Sequence, residues 1–213
     1  MWETLSHPWQ VCVEQAWEAY CSGSIPIGAV ITSETGEILS VGRNRSSNKA
    51  PESEKQISGV PLAHAELNAL LALDYAEVDP HLCILYSIVE PCPLCIGAIC
   101  IAGVKNVHYA ARDAWSGSTN LLEATPYFRW KSIKAVGPQD SEFETIIHMM
   151  QVDCQLRRAH PRVESVLDAW EEYPEAIRKG RMLFRAGELP RMREEGFSAA
   201  EALSRIHELM LQW

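Results

Sequence analysis

From Ser6 onward, apolar side chains return every three or four residues: Trp9, Cys12, Val13, Ala16, Trp17 and Tyr20 recur, with Gln10, Glu14, Gln15 and Glu18 between them. That period marks one buried face of an α-helix, and Gly23 supplies its stop. The pattern then changes to a short run of branched residues over 27–32, a turn at Ser33-Glu34-Thr35-Gly36 and a second run over 37–42, which predicts a β-hairpin. Residues 45–61 form a polar loop with Pro51, Gly59 and Pro61. Helical spacing resumes at His64 through Leu67, Leu70, Leu71 and Leu73; residues 82–89 then read as a buried strand. Pro93 opens a helix through Ala102, and residues 106–111 are again strand-like.

Strands alternating with helices after one hairpin predict an α/β layered domain with a mixed sheet, to which residues 132–136 add a fifth strand. Ser141 followed by Glu144 is a capping-box signal for a helix running toward Arg158, and Pro161 marks a break after it. The tail from 162 to 213 is mostly helix-forming. There Ser198 and Glu201 form a second capping box, Glu201 and Arg205 have the spacing of an i,i+4 ion pair, and Ala202, Leu203, Ile206, Leu209, Met210 and Trp213 line one face. Such a face must be covered, by the core or by a subunit interface. The expected division is residues 1–160 as one domain and 161–213 as a helical C-terminal extension.

Composition narrows the class. With 47% apolar and 22% charged residues in 213, the chain has the balance of a soluble globular protein. No apolar run approaches the ~18–20 residues needed to span a bilayer, and the N-terminus has neither a basic nor an apolar leader segment. The expectation is therefore a complete, cytoplasmic chain with no membrane partner. Seven cysteines, two of them in a Cys-x-x-Cys, suit reduced thiols and a metal better than a disulfide framework. The net charge of −9 lies wholly in residues 1–156, which hold nine basic and eighteen acidic residues. A polyanionic partner such as nucleic acid is not expected on such a surface.

Two clusters carry chemistry: His64-Ala65-Glu66 and Pro91-Cys92-Pro93-Leu94-Cys95, each at the start of a predicted helix. One imidazole and two thiolates suit Zn²⁺, which takes both donor types tetrahedrally. Pro93 at the first helical position makes Cys92 the N-cap and puts Cys95 in the first turn, where the helix dipole favours a thiolate. Three protein ligands leave a fourth position for water, the pattern of a catalytic site. A closed structural site would need a fourth ligand, for which Cys83 and Cys100 are the local candidates. Glu66, two residues from His64, is placed to move protons without ligating the metal.

His-x-Glu followed by Pro-Cys-x-x-Cys resembles the cytidine-deaminase-like zinc deaminases, and within them the branch of guanine deaminases and bacterial tRNA adenosine deaminases. The resemblance spans about residues 8–150. It is carried by Pro26-Ile27-Gly28-Ala29-Val30-Ile31, Gly42-Arg43-Asn44, His64-Ala65-Glu66-Leu67-Asn68-Ala69-Leu70, Leu85-Tyr86-Ser87 and Glu90-Pro91-Cys92-Pro93-Leu94-Cys95-Ile96-Gly97-Ala98-Ile99. It implies a three-layer α/β/α sandwich with a mixed five-stranded sheet and one zinc per chain on His64, Cys92 and Cys95. By the same resemblance Glu66 shuttles protons, Asn44 bonds the base, the backbone at Ala29 and Ala63 lines the pocket, and the Glu90 carbonyl faces the departing ammonia.

Ala111-Arg112-Asp113-Ala114 resembles a tRNA-deaminase segment, which makes Asp113 a pocket-edge residue. Trp115, Tyr127, Phe128 and Trp130 are candidates for stacking on a planar base. The 45–61 loop, with Ser53, Glu54, Lys55 and Gln56, looks like an insertion at the rim where substrate choice would lie. The expected activity is hydrolytic deamination of a small nucleobase or nucleoside, a guanine-like purine first, by a homodimer. Two alternatives stay open. A tRNA adenosine-to-inosine deaminase would need a basic cluster built from Arg157, Arg158, Arg162 and the tail; a non-catalytic zinc-binding interaction subunit would use the amphipathic tail.

Overall fold

The computed structural model describes residues 1–48, 55–159 and 161–213; Pro51, Ser53 and Glu54 of the predicted loop, and residue 160 at the expected domain boundary, lie outside the described residues. Five strands form one sheet in the order β2-β1-β3-β4-β5, built from β1 (Gly28–Ser33), β2 (Ile38–Arg43), β3 (Cys83–Val89), β4 (Asn106–Ala111) and β5 (Lys134–Val136). β1 runs antiparallel to both β2 and β3, whereas β3, β4 and β5 are mutually parallel, which makes the sheet mixed as expected.

Side chains alternate between the two faces of the sheet because the strand period is two. Val30, Ile88 and Ala110 point to one face, where α1 (His7–Cys21) and α5 (Ser141–Arg158) cover them with Trp9, Val13, Phe143 and Ile146. Ala29, Ile31, Leu85 and Val107 point to the other face, against α2 (Ala65–Ala72) and α3 (Pro93–Ala102). The result is the three-layer α/β/α sandwich. The remaining helices among the described residues are α4 (Pro126–Lys131), α6 (Val163–Ala169), α7 (Pro174–Ala186), α8 (Glu188–Glu194) and α9 (Ala199–Gln212).

The apolar face predicted for the last helix finds its cover inside this molecule. Ala202, Leu203, Ile206, Leu209 and Met210 of α9 are buried in the same core as Trp9 and Trp17 of α1, and Trp213 packs at its edge. The Trp17 indole fixes the approach by donating to Phe197 O at 2.7 Å. The Ser198–Glu201 capping box forms in both directions.

Two local expectations are corrected. Asp140, not Ser141, caps α5: its carboxylate accepts from the backbone of Glu142 and Phe143, while Glu144 turns inward and accepts from Arg112 N at 3.0 Å. A carboxylate at the N-cap suits the positive end of the helix dipole, and Ser141 is left as the first helical residue. Glu201 is held by its own capping box, so Arg205 turns instead to Glu208 at 3.3 Å and Glu188 at 3.7 Å.

Gly42 sets where α2 can lie. A Cβ there would stand 2.3 Å from both Ala65 O and Ala69 N, inside any van der Waals contact, so only glycine lets β2 approach the helix that begins at Ala65. Gly42→Ala is expected to lower the unfolding free energy by about 1–3 kcal/mol, as overpacking does, in urea denaturation. A change within ~0.5 kcal/mol would show that α2 shifts at no cost.

Candidate active site

Each chemical cluster sits at a helix start. His64 is the N-cap of α2, and Cys92 is the N-cap of α3, with Pro93 at the first helical position and Cys95 two residues further in. β3 delivers the second cluster directly, since Glu90 and Pro91 alone separate its end from Cys92. His64 Nδ1 lies 3.5 Å from both Cys92 Sγ and Cys95 Sγ, and the three donor atoms are all within 4.8 Å of one another. For Zn–S of about 2.3 Å and Zn–N of about 2.0 Å, a tetrahedral N···S edge is about 3.5 Å. The donor set and its spacing therefore fit zinc. Among the described residues no fourth His, Cys, Asp or Glu joins the group: Cys83 bonds to Asp79 O, and Cys100 is buried elsewhere.

The cluster's electrostatics suit a cation. Cys92 is pushed down to about 4, first by the hydrogen bond from Cys95, which in turn is pushed far up. His64 is raised, chiefly by its bond to Cys92. Glu66 is buried beside them, with Ser87 Oγ donating to Oε1 at 3.1 Å and Cys95 Sγ to Oε2 at 3.3 Å. Burial first, and then the Cys92 charge, raises the Glu66 carboxyl.

A cavity of about 130 Å³ opens over this cluster. His64, Glu66 and Cys92 line it together with Asn44, Glu90, Asp113 and Trp115, so these seven predicted residues share one site. Ala29 and Ala63 do not reach its wall: Ala29 is enclosed mid-sheet between β2 and β3, and Ala63 O is taken by Arg45 N. Ile25 and Ile27 stand in the wall instead. Tyr127, Phe128 and Trp130 belong to α4, away from the cavity; Tyr127 and Trp130 face solvent there, and of the aromatic candidates Trp115 alone lines the site. The described parts of the 45–61 loop contribute nothing to the wall. Gln56 bonds Val41 O, and Ile57 is held by the Asn68 side chain.

Several side chains are already partly committed. Asn44 Oδ1 accepts from Ser46 N at 3.1 Å and Ser46 Oγ at 2.8 Å, the turn expected of an Asn after a strand, which leaves its amide N–H groups as donors. The Glu90 carboxylate accepts from Thr119 N and Oγ1. Asp113 Oδ1 accepts from Trp115 N, Ser116 N and, at 3.3 Å, the Trp170 indole.

That last bond exposes what sequence reasoning missed: Gln151 and Gln155 of α5, with Val166 and Trp170 at α6, also line the cavity. A Gln within the otherwise apolar stretch Met149 to Val152 was the one available signal. Of the arginines proposed as a basic cluster, Arg157 is drawn into an internal ion pair and Arg158 stays on the surface. Arg157 forms a bidentate pair with buried Asp153 at 2.7 and 2.9 Å and lies over Phe184, and Arg158 reaches Ser47 Oγ.

A family model for the cytidine and deoxycytidylate deaminase zinc-binding region matches residues 3–111, half of the chain. The guanine deaminase of Bacillus subtilis is 40% identical over 90 residues, 40% of this chain and 50% of that protein. The tRNA-specific adenosine deaminase of Aquifex aeolicus is 32% identical over 124 residues, 54% of this chain and 73% of that protein. A solved structure from work on A-to-I editing by tRNA:A34 deaminases superposes with a TM-score of 0.54 at 21% identity, over 66% of this chain and 98% of the other, and so shares the fold. The chain spans only 21% and 15% of two Deinococcus tRNA(Ile)-lysidine synthases that it also matches.

His148 ties α6 to this site. It is buried, with Nε2 2.8 Å from Arg112 O and its ring against Trp170 and Tyr173, and burial holds its pKa below the usual imidazole value while the Arg112 carbonyl, Glu144 and Asp113 pull it up. The folded state keeps it neutral, whereas an unfolded chain takes up a proton near pH ~6.5. Its contribution is therefore complete above that pH and is lost as pH falls toward the lowered folded value. Urea melts of His148→Gln and the parent between pH 7.5 and 5.5 should show the parent losing more stability; equal losses would remove His148 from the acid response.

Proposed function

The chain belongs to the cytidine and deoxycytidylate deaminase zinc-binding family, and on that premise we propose that it is a hydrolytic deaminase converting the amino group of a small nucleobase or nucleoside, a guanine-like purine first, to the oxo form. The observation that carries this reading is Glu66, buried beside the His64, Cys92 and Cys95 donors yet outside their group, with Ser87 orienting its carboxylate. His64, Cys92 and Cys95 would hold the zinc. When bound there, zinc supplies a Lewis acid that makes water nucleophilic near neutral pH.

The residues of this chain then move protons and hold the ring. Glu66 takes a proton from the attacking water, delivers it to the ring nitrogen beside the amine-bearing carbon, and later gives one to the departing amine. One water is consumed and one ammonia released. Asn44 donates its amide N–H to an acceptor on the ring, since Ser46 occupies its oxygen. The Glu90 carbonyl faces the leaving ammonia, and the half-exposed Trp115 forms the mouth. Residues 1–160 constitute the deaminase unit in this reading, with 161–213 as its extension.

Two supports favour a small substrate over tRNA. The acidic balance of residues 1–156 opposes a polyanion, and the charge of Arg157 is taken up by buried Asp153. Among the described residues no helix is long and apolar enough to cross a membrane. A homodimer is part of the same proposal, supported by the exposed Leu71 and Ile101 along α2 and α3.

Zinc-loaded protein should release ammonia from at least one member of a panel of free bases and nucleosides, and Glu66→Ala should keep its zinc while turnover falls at least ~10³-fold, measured by a coupled ammonia assay and metal analysis. Loss of zinc from Glu66→Ala with the fold intact would make Glu66 a ligand instead. Release from an anticodon stem-loop alone would turn the reading to tRNA. Cys92→Ser should lose zinc and activity together.

A further inference from the structure

Resting on the deaminase reading, the question is which part of the chain chooses the ring. The cavity is roofed by α5 and α6, which lie beyond the family-matched residues 3–111. Trp170, at the end of α6, is 3% exposed. Its indole donates to Asp113 Oδ1, its ring packs on His148 at a centroid distance of 5.4 Å, and it shares a small core with Val152 and Leu167. α6 is thereby fastened across the site by the same Asp113 expected to touch substrate.

Two amides come from the roof on one face of α5, a single turn apart. One N–H of Gln151 Nε2 goes to Pro26 O at 2.9 Å, which leaves its oxygen to accept and a second N–H to donate. Gln155 has no hydrogen-bond partner among the described residues and lines the cavity. The third amide, Asn44, is left as a donor. Such a site offers a ring the Asn44 donor and, from Gln151 and Gln155, two amides able to donate or accept. The space is small: about 130 Å³ is close to the ~150 Å³ cavity that admits benzene, the scale of a single planar ring.

We propose that the α5–α6 roof is the substrate selector of this enzyme: Gln151 and Gln155 read the polar edge of the ring, and Trp170 closes the cavity against a sugar, so that the substrate is a free aminated heterocycle.

The test uses the full-length zinc-loaded protein, its Gln155→Ala and Trp170→Ala variants, and guanine, adenine, cytosine and their ribonucleosides as substrates. Calorimetric binding of the products xanthine, hypoxanthine and uracil, free and ribosylated, gives a readout independent of turnover. Wild type should accept a free ring at least tenfold better than its nucleoside. Gln155→Ala should raise KM and product Kd about tenfold with kcat within twofold, as loss of one amide contact does. Trp170→Ala should narrow the base-to-nucleoside ratio at least tenfold by gaining nucleoside turnover. Equal use of bases and nucleosides by wild type, or an unchanged product Kd in Gln155→Ala, overturns the selector while the deaminase reading stands. Silence of wild type toward every ring, in binding and in turnover, overturns both. If Trp170→Ala melts at the assay temperature, wild-type discrimination and Gln155→Ala decide alone.

Discussion

The convergence of two helix N-termini on one point is the constraint from which the site follows. A helix start carries unpaired N–H groups and a partial positive charge, so it is where a thiolate is stabilised, and neither N-cap side chain, His64 or Cys92, is used to cap its own helix. α2 and α3 begin beside one another because β2 can approach α2 closely at Gly42 and because β3 runs almost directly into Pro91 and Cys92. His64 Nδ1 then stands 3.5 Å from both Cys92 Sγ and Cys95 Sγ, although His64 and Cys92 are 28 positions apart in sequence. Glu66 enters the same space from the first turn of α2, and Ser87 on β3 orients it.

The opposite layer does the remaining work. α1 and α5 cover the other face of the sheet, and α9 completes that core rather than standing free of it. α5 is long enough to serve two ends: Phe143 and Ile146 fill the core, while Gln151 and Gln155 reach the cavity. α6 then crosses the opening, held by Trp170 on Asp113 and by the rings of His148 and Tyr173. The site is thus built from two layers: the α2–α3 side supplies His64, Glu66, Cys92 and Cys95, and the α5–α6 side supplies Gln151, Gln155, Val166 and Trp170. The three-ligand core is compatible with many aminated rings, so a roof of different composition can change the substrate without touching it.

The strands and the limits of α1, α2, α3 and α5 were legible in the sequence because their causes are local, whereas α4 and the division of the tail into α6, α7 and α8 were not. Pro93 and Gly103 bound α3, the Ser33–Gly36 turn separates β1 from β2, and the alternation of periods two and 3.6 distinguishes the elements. The metal donors were legible too, since His-x-Glu and Cys-x-x-Cys need only one helical turn each to present their atoms. Where a side chain had a choice of partners, local rules lost. Ser141 yielded its cap to Asp140, and Arg205 left Glu201 for Glu188 and Glu208.

What the sequence determined by itself was the kind of chemistry and the layered α/β frame, because short-range spacing dictates both. Tertiary structure alone decided which residues close the cavity from the α5–α6 side. Trp170 and Asp113 are 57 positions apart, and Gln151 meets Pro26 across 125. No periodicity encodes such meetings. They arise because α5 crosses the sheet and lays α6 over the site, so the partner of each side chain is set by which helix packs beside it.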